Sequence, residues 1–459
     1  MTELENSAWL FERIQSHGEK PFLAAKGKTH SYSELSNRLN QIDQELSAKI
    51  PAGASVAVLG DYSLTAISSV LWLVKNQNII VPIAASAELE TPERCREAFC
   101  DFLIDTLAEP GHAVVKKLEG TEGSHDLIEK LRFKQLAGLV LFSSGSAGKP
   151  KAMIHDLENL VQVYAERKSR SLSMIVFLMF DHIGGINTLF NSLASGSFMV
   201  APSKRDADEV AALIQEHKVT ILPTSPTFLN LLLIADAPKR FDLSSIKIIT
   251  YGTEPMPESL LAKLREAFPK VKFLQTFGTS ETGISRTDSK SSGSLFMKLD
   301  DPNIEHKIVD GELWLRSKTQ ILGYLNHSME SFTEDGWFRT GDKVETDEAG
   351  YIRIIGRTKE MINVGGEKVV PSEVESIILE VEGVKDCTVF GQASPVTGQI
   401  VAAKIVLKQG MDQAQAKSEI RKHCSSKLAR YKVPVKMIFV EDSLFGERFK
   451  KKRNLDSSI

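Results

Sequence analysis

The stretch from Leu139 to Lys151 constrains this chain more than any other. An apolar run, Leu139-Val140-Leu141-Phe142, ends abruptly in Ser143-Ser144-Gly145-Ser146-Ala147-Gly148-Lys149-Pro150-Lys151. The run predicts a buried strand over 140–142. The loop after it can turn sharply, because Gly145 and Gly148 tolerate positive φ. Successive backbone N–H groups in such a loop make an anion-binding concavity. Ser143, Ser144 and Ser146 add hydroxyl donors, and Lys149 and Lys151 add charge. This chemistry suits the phosphates of a nucleotide. A surface turn is the alternative while the segment is read alone.

The Walker phosphate loop is excluded. Gly145 and Gly148 stand too close together, and Lys149 precedes Pro150 instead of a serine or threonine. Pro150 also has no N–H to offer a phosphate.

A chain of 459 residues is too long for one ordinary domain. Its net charge of −3 points to no general nucleic-acid or membrane-surface binder. Cys95, Cys100, Cys387 and Cys424 lie in no zinc or redox spacing and suit a reducing cytoplasm. No signal core is expected at the N-terminus, and no membrane span, because Lys75-Asn76-Gln77-Asn78 interrupts the longest apolar region.

Ser31 and Glu34 form a capping-box pattern ahead of Leu35, Leu39, Ile42 and Leu46 at helical spacing. Residues 55–59, 64–74 and 79–83 read as strand, helix and strand, a unit that pairs its strands in parallel. Residues 85–134 are indistinct. After the loop, 154–167 reads as a helix. Strands are expected over 174–180, 219–222, 246–250, 271–275, 351–355, 388–390 and 401–407, and a helix over 418–427.

Several segments in order resemble the adenylate-forming superfamily, which includes acyl-CoA synthetases, peptide-synthetase adenylation domains and luciferases. Ser143 to Ala152 is similar to its phosphate loop, Ser/Thr-Ser-Gly-Ser/Thr-Thr-Gly-x-Pro-Lys-Gly, with Ala147 for a threonine and Ala152 for the closing glycine. Asp181-His182-Ile183-Gly184-Gly185 resembles the segment that gates the acyl pocket, with Asp181 for the usual phenylalanine. Gly252-Thr253-Glu254-Pro255 resembles the turn beside adenine. Phe277-Gly278-Thr279-Ser280-Glu281 resembles Tyr-Gly-x-Thr-Glu. Trp337 to Asp342, Gly356 to Ile362 and Gly365-Gly366-Glu367 resemble three later motifs.

The resemblance implies an α/β fold: a large multi-sheet N-terminal lobe over 1–356 and a small α+β C-terminal domain over 360–459, joined by a hinge at Lys359. It implies activation of a fatty or aromatic acid by ATP to an acyl-adenylate, then transfer to a pantetheine thiol of CoA or of an acyl carrier protein. A non-catalytic adenylate-binding relic is the further alternative. Ser143, Ser144, Gly145, Ser146, Gly148, Lys149 and Lys151 would hold phosphates. Gly252, Thr253, Glu254, Phe277, Gly278, Ser280, Asp342 and Arg357 would hold the rest of the nucleotide. Glu281 would bind Mg²⁺, His182 would gate the acid, and Gly365 and Gly366 would flank the thiol channel. A C-terminal lysine would bridge carboxylate and phosphate. Lys450 fits if Phe449 takes the position of the family's glycine. Lys451 is next in line, and aligning Gly446 instead places Glu447 there.

Overall fold

The structure is a computed structural model and describes residues 7–119, 123–143, 150–170, 172–441, 444–446 and 451. Five sheets organise the described residues. In the first, Ser55–Gly60 and Ile79–Ala84 pair in parallel across the helix Leu64–Lys75. Ser63 starts that helix by accepting from the Ala66 N–H. Both strands are buried along their whole length, because Phe102–Asp105 and Gly138–Ser143 flank them in the same sheet. The region 85–134 supplies Phe102–Asp105, Val114–Lys117 and the helices Thr91–Glu97 and Asp126–Lys134. Its strands are too short to show alternation in the sequence.

The helix expected over 154–167 is corrected. Lys151–Asp156 is a strand antiparallel to Gly138–Ser143, with Ser143 opposite Lys151. Only Leu157–Gln162 is helical, capped by Asp156. Ala152, Met153, Ile154 and His155 are all fully buried. A strand covered on both faces reads as a continuous apolar run, which periodicity cannot separate from a helix. Residues 144–149 therefore join two paired strands.

Burial pushes the His155 imidazole down to about 4. The unfolded chain binds this proton more readily, so stability is lost as pH falls from 6.5 towards 4. Across that window the loss approaches about 3 kcal/mol. His155→Gln should flatten the fall of the thermal midpoint over this range. An unchanged slope would assign the acid lability elsewhere.

The second large sheet runs Lys272–Gln275, Ile248–Tyr251, Ile221–Thr224, Ser173–Ile175 and Phe198–Ala201, all parallel, and ends in the hairpin Pro21–Ala25 and Lys28–Ser31. The strand expected over 174–180 stops at Ile175. The capping box forms as expected: Ser31 Oγ accepts from the Glu34 N–H, and Glu34 Oε2 accepts from the Ser31 N–H at 2.8 Å.

A six-stranded antiparallel sheet ends with Ile352–Arg357, and the last sheet begins at Ile362. One 3₁₀ turn, Thr358–Glu360, lies between them. The last sheet is built on the hairpin Val384–Ser394 and Gly398–Leu407, backed by the helices Pro371–Ile378 and Gln413–Lys427. The second helix begins earlier than its apolar pattern implies, because Asp412 caps it by accepting from the Gln415 N–H. This unit leans on two N-terminal helices. Asn230 donates to the Lys385 carbonyl at 3.3 Å, Ser259 to that of Ser376 at 3.0 Å, and Lys263 to that of Leu379 at 2.9 Å. Among the described residues no helix is long and apolar enough to cross a membrane.

Candidate active site

Open α/β sheets bind ligands in the crevice outside the carboxyl ends of their strands. Here that crevice is a cavity of about 540 Å³. The second sheet sends Thr224, Gly252, Thr253 and Thr276 to it from three neighbouring strand ends. The antiparallel strands Gly138–Ser143 and Lys151–Asp156 send Ser143 and Lys151, and the start of the helix Ile183–Ser195 sends His182 and Gly184. Phe277, Gly278, Ser280 and Glu281 come from the small hairpin of Phe277–Thr279 and Gly283–Ser285. Arg339, Arg357, Lys359 and Glu360 close the remaining side. A larger hollow of about 880 Å³ lies beside Gly53 and Arg132. It holds none of the motif residues, and its arginine is spent on the Gly53 carbonyl and Asp101.

The wall carries Lys151, Arg339, Arg357 and Lys359 against Glu281 and Glu360, a balance that suits a polyanion. Tyr324 donates its hydroxyl to Glu281 Oε1 at 3.1 Å. The Lys151 ammonium lies 5.3 Å from the Tyr324 ring centroid. Burial lowers the Lys151 pKa and the Glu281 carboxylate works against that shift. Gly278 has to be glycine, because a Cβ would stand 2.5 Å from the Gly283 carbonyl. Thr253, β-branched, sits at φ 71°, a conformation such residues rarely adopt outside constrained sites.

His182 caps its helix: Nδ1 accepts from the Gly184 N–H at 3.0 Å. A neutral ring therefore carries its proton on Nε2. Asp181, which replaces the family's aromatic residue, forms a buried ion pair with Arg94 at 2.8 Å. Arg94 also binds Glu90 and lies over Phe142, near the end of the strand Gly138–Ser143. The pair thus ties the segment carrying His182 to the strand that enters the loop.

Other expected residues stand elsewhere. Asp342 is buried behind the wall and accepts from Arg357 Nε at 3.1 Å; burial raises its pKa while Arg357 pulls it back. Glu254 does not line the cavity. Its Oε1 accepts from the Thr227 N–H, and its Oε2 from the Lys451 N–H at 3.3 Å. Gly365 and Gly366 lie on an exposed turn away from the cavity. Lys451 is the alternative reading for the bridging lysine. Its ammonium turns into the C-terminal domain, 3.4 Å from Asp386 and 3.6 Å from Glu375. Ser144, Gly145, Ser146, Gly148, Lys149, Glu447 and Lys450 lie outside the described residues.

Sequence reading missed Tyr324 and Arg339. Tyr324 belongs to a two-residue strand, Gly323–Tyr324, that pairs with Lys151–Asp156. Nothing in its neighbourhood marks it, since only that pairing brings it to Glu281.

Mg²⁺ takes oxygen ligands and is commonly held by one or two carboxylates together with phosphates. Glu281, beside the Ser280 hydroxyl, fits an ion that arrives with phosphates. Among the described residues no cluster of three His, Cys, Asp or Glu side chains could hold one alone.

The AMP-binding enzyme family profile matches residues 10–325, and the profile of the AMP-binding enzyme C-terminal domain matches 373–448. The chain belongs to the AMP-binding enzyme family. It is 30% identical to the long-chain-fatty-acid–CoA ligase FadD13 of Mycobacterium tuberculosis over 323 residues, which cover 66% of this chain and 63% of that protein. It is 25% identical to the 2-succinylbenzoate–CoA ligase of Listeria monocytogenes over 456 residues, 94% of this chain and 95% of that one. In fold, this AMP-binding enzyme resembles the anthranilate CoA ligase AuaEII in complex with anthranoyl-AMP. The TM-score is 0.80 at 22% identity, covering 96% of this chain and 95% of that one.

In this AMP-binding enzyme Tyr324→Phe removes a hydrogen bond to a charged group, a change of about 1.5–3 kcal/mol at most. The Mg²⁺ concentration for half-maximal turnover should rise by about tenfold, with the fold intact. A Mg²⁺ titration unaffected by the substitution would detach Tyr324 from the function of Glu281.

Proposed function

We propose that this chain activates a carboxylic acid with ATP and passes the acyl group to the thiol of CoA. The carrying observation is the convergence of Lys151, Glu281, Arg357 and His182 on one cavity at the strand ends. A carboxylate oxygen attacks the α-phosphorus, the bond to the β-phosphate oxygen breaks, and pyrophosphate leaves. The thiol sulfur then bonds to the acyl carbon, AMP departs, and the thiol proton passes to solvent.

Both reactants of the first step are anions. Lys151, with Lys149 and Lys450 from outside the described residues, offsets their repulsion and stabilises charge as it develops. Glu281 would hold Mg²⁺, which supplies Lewis-acid neutralisation of the phosphate oxygens. His182 presents an Nε2–H to an oxygen of the acid. Arg357, held by Asp342, steadies the nucleotide. Lys359, in the lone turn between two sheets, is the hinge that would exchange the C-terminal faces. Gly365 and Gly366 stay in solvent while the Lys451 N–H bonds to Glu254. That arrangement suits the first half-reaction, with the glycine turn swinging in for the second.

The relatives named above are CoA ligases, which favours CoA over carrier-bound pantetheine as acceptor. Mass spectrometry of reactions containing ATP, Mg²⁺, a mixed acid panel and CoA should find acyl-CoA and AMP in equal amounts. An acyl product only when a carrier protein replaces CoA would reassign the acceptor. Release of ADP would overturn the reading.

A further inference from the structure

A second cavity, of about 530 Å³, opens beyond the first. Ile183, Asn187, Pro223, Thr250, Thr276 and Ile284 belong to both walls, so the two lie side by side. The first holds the phosphate-facing groups, and the second takes whatever the reacting carboxyl carries. Building on the function proposed above, we infer that the acid's tail bears its own hydrogen-bond acceptor, a keto group or a second carboxylate, seated at Asn187.

A hydrocarbon tail calls for a wall whose polar atoms are satisfied within the protein. Part of this wall complies. Thr188 donates its hydroxyl to the Gly184 carbonyl at 2.8 Å, and Thr276 to that of Tyr251 at 3.1 Å. Asn187 does not comply. Its Oδ1 accepts from the hydroxyl of buried Tyr164. That bond orients the amide and leaves its NH₂ group without a partner among the described residues. Ser285, only 4% exposed, lines the second cavity, and its buried hydroxyl also has no partner among the described residues.

Further out, Arg167 reaches the same wall without an ion-pair partner among the described residues. Of the other charges there, Arg286 pairs with Asp300 at 2.8 Å and Asp301 accepts from the Arg286 and Asn303 N–H groups, while the exposed Glu166 has no ion pair among the described residues. The Ser285 hydroxyl is a buried donor, costly to leave unbonded, while the Asn187 amide is half-buried and the Arg167 guanidinium exposed. An acceptor on the acid satisfies them and a methylene cannot, so the site discriminates between the two.

The test compares matched acids in ATP–pyrophosphate exchange: octanedioate against octanoate, and 4-oxo-4-phenylbutanoate against 4-phenylbutanoate. The acceptor-bearing member of at least one pair should have a kcat/KM higher by about tenfold or more. Asn187→Leu should bring that ratio to near one. Asn187→Asp keeps the shape and the Tyr164 bond but replaces the donor with a negative charge. It should make octanedioate the poorer member of its pair. Equal or better use of the hydrocarbon acids by the wild type would overturn the inference and leave the proposed function standing. So would a preference that survives both substitutions. Absence of exchange with every acid tested would overturn the proposed function itself, and this inference with it.

Discussion

Glu281→Gln removes the negative charge while keeping the shape and an acceptor for the Tyr324 hydroxyl, and acid-dependent ATP turnover falls by on the order of 10²–10³. The side chain lines the cavity and accepts from the Tyr324 hydroxyl. The substitution therefore leaves packing alone, and the thermal midpoint should hold. The charge would matter because Glu281 would hold Mg²⁺ together with phosphate oxygens, and a neutral amide is a much poorer ligand for that ion. Raising Mg²⁺ should recover part of the lost rate. Wild-type turnover of the variant at limiting Mg²⁺ would remove Glu281 from the metal site.

Lys451→Met acts on stability instead. The Lys451 side chain is 8% exposed and donates to the Cys387 carbonyl at 2.6 Å, with Asp386 and Glu375 close by. Burial alone would lower its pKa, but Glu375 and Asp386 outweigh that and hold it raised. Glu375 also accepts from the Val389 N–H at 2.9 Å, deep in the C-terminal core. Taking away the cation strands two carboxylates among apolar side chains, a loss of about 3–5 kcal/mol. Calorimetry should show the C-terminal unit melting at lower temperature while the N-terminal lobe keeps its transition. Lys451→Arg should recover much of the difference. Had Lys451 bridged the reacting groups, its replacement would slow adenylation without moving either transition. That outcome would place Lys451 at the reacting groups.

The central parallel unit was legible because each part carried its own local signal. Buried strands over 55–60 and 79–84 are unbroken apolar runs, and Ser31 with Glu34 marks a helix start by side-chain chemistry alone. Lys151–Asp156 was misread because a doubly buried strand lacks the alternation that separates strand from helix. The motif residues on the cavity wall were found through resemblance, since each segment alone reads as an ordinary polar turn. Tyr324 and Asn187 were not found. Their roles depend on pairing between distant strands and on a hydroxyl from the turn after the helix Leu157–Gln162, and neither leaves a mark in nearby sequence. The inward turn of Lys451 was equally hidden, because a run of basic residues does not show which one points at Glu375.

The central claim is that the acid attacks the α-phosphate of ATP and expels pyrophosphate reversibly. Exchange of labelled pyrophosphate into ATP, measured without CoA and with and without acid, isolates that step. The account predicts exchange that requires both an acid and Mg²⁺ and proceeds without any thiol. Exchange independent of the acid, or cleavage of ATP to ADP and phosphate, would contradict it.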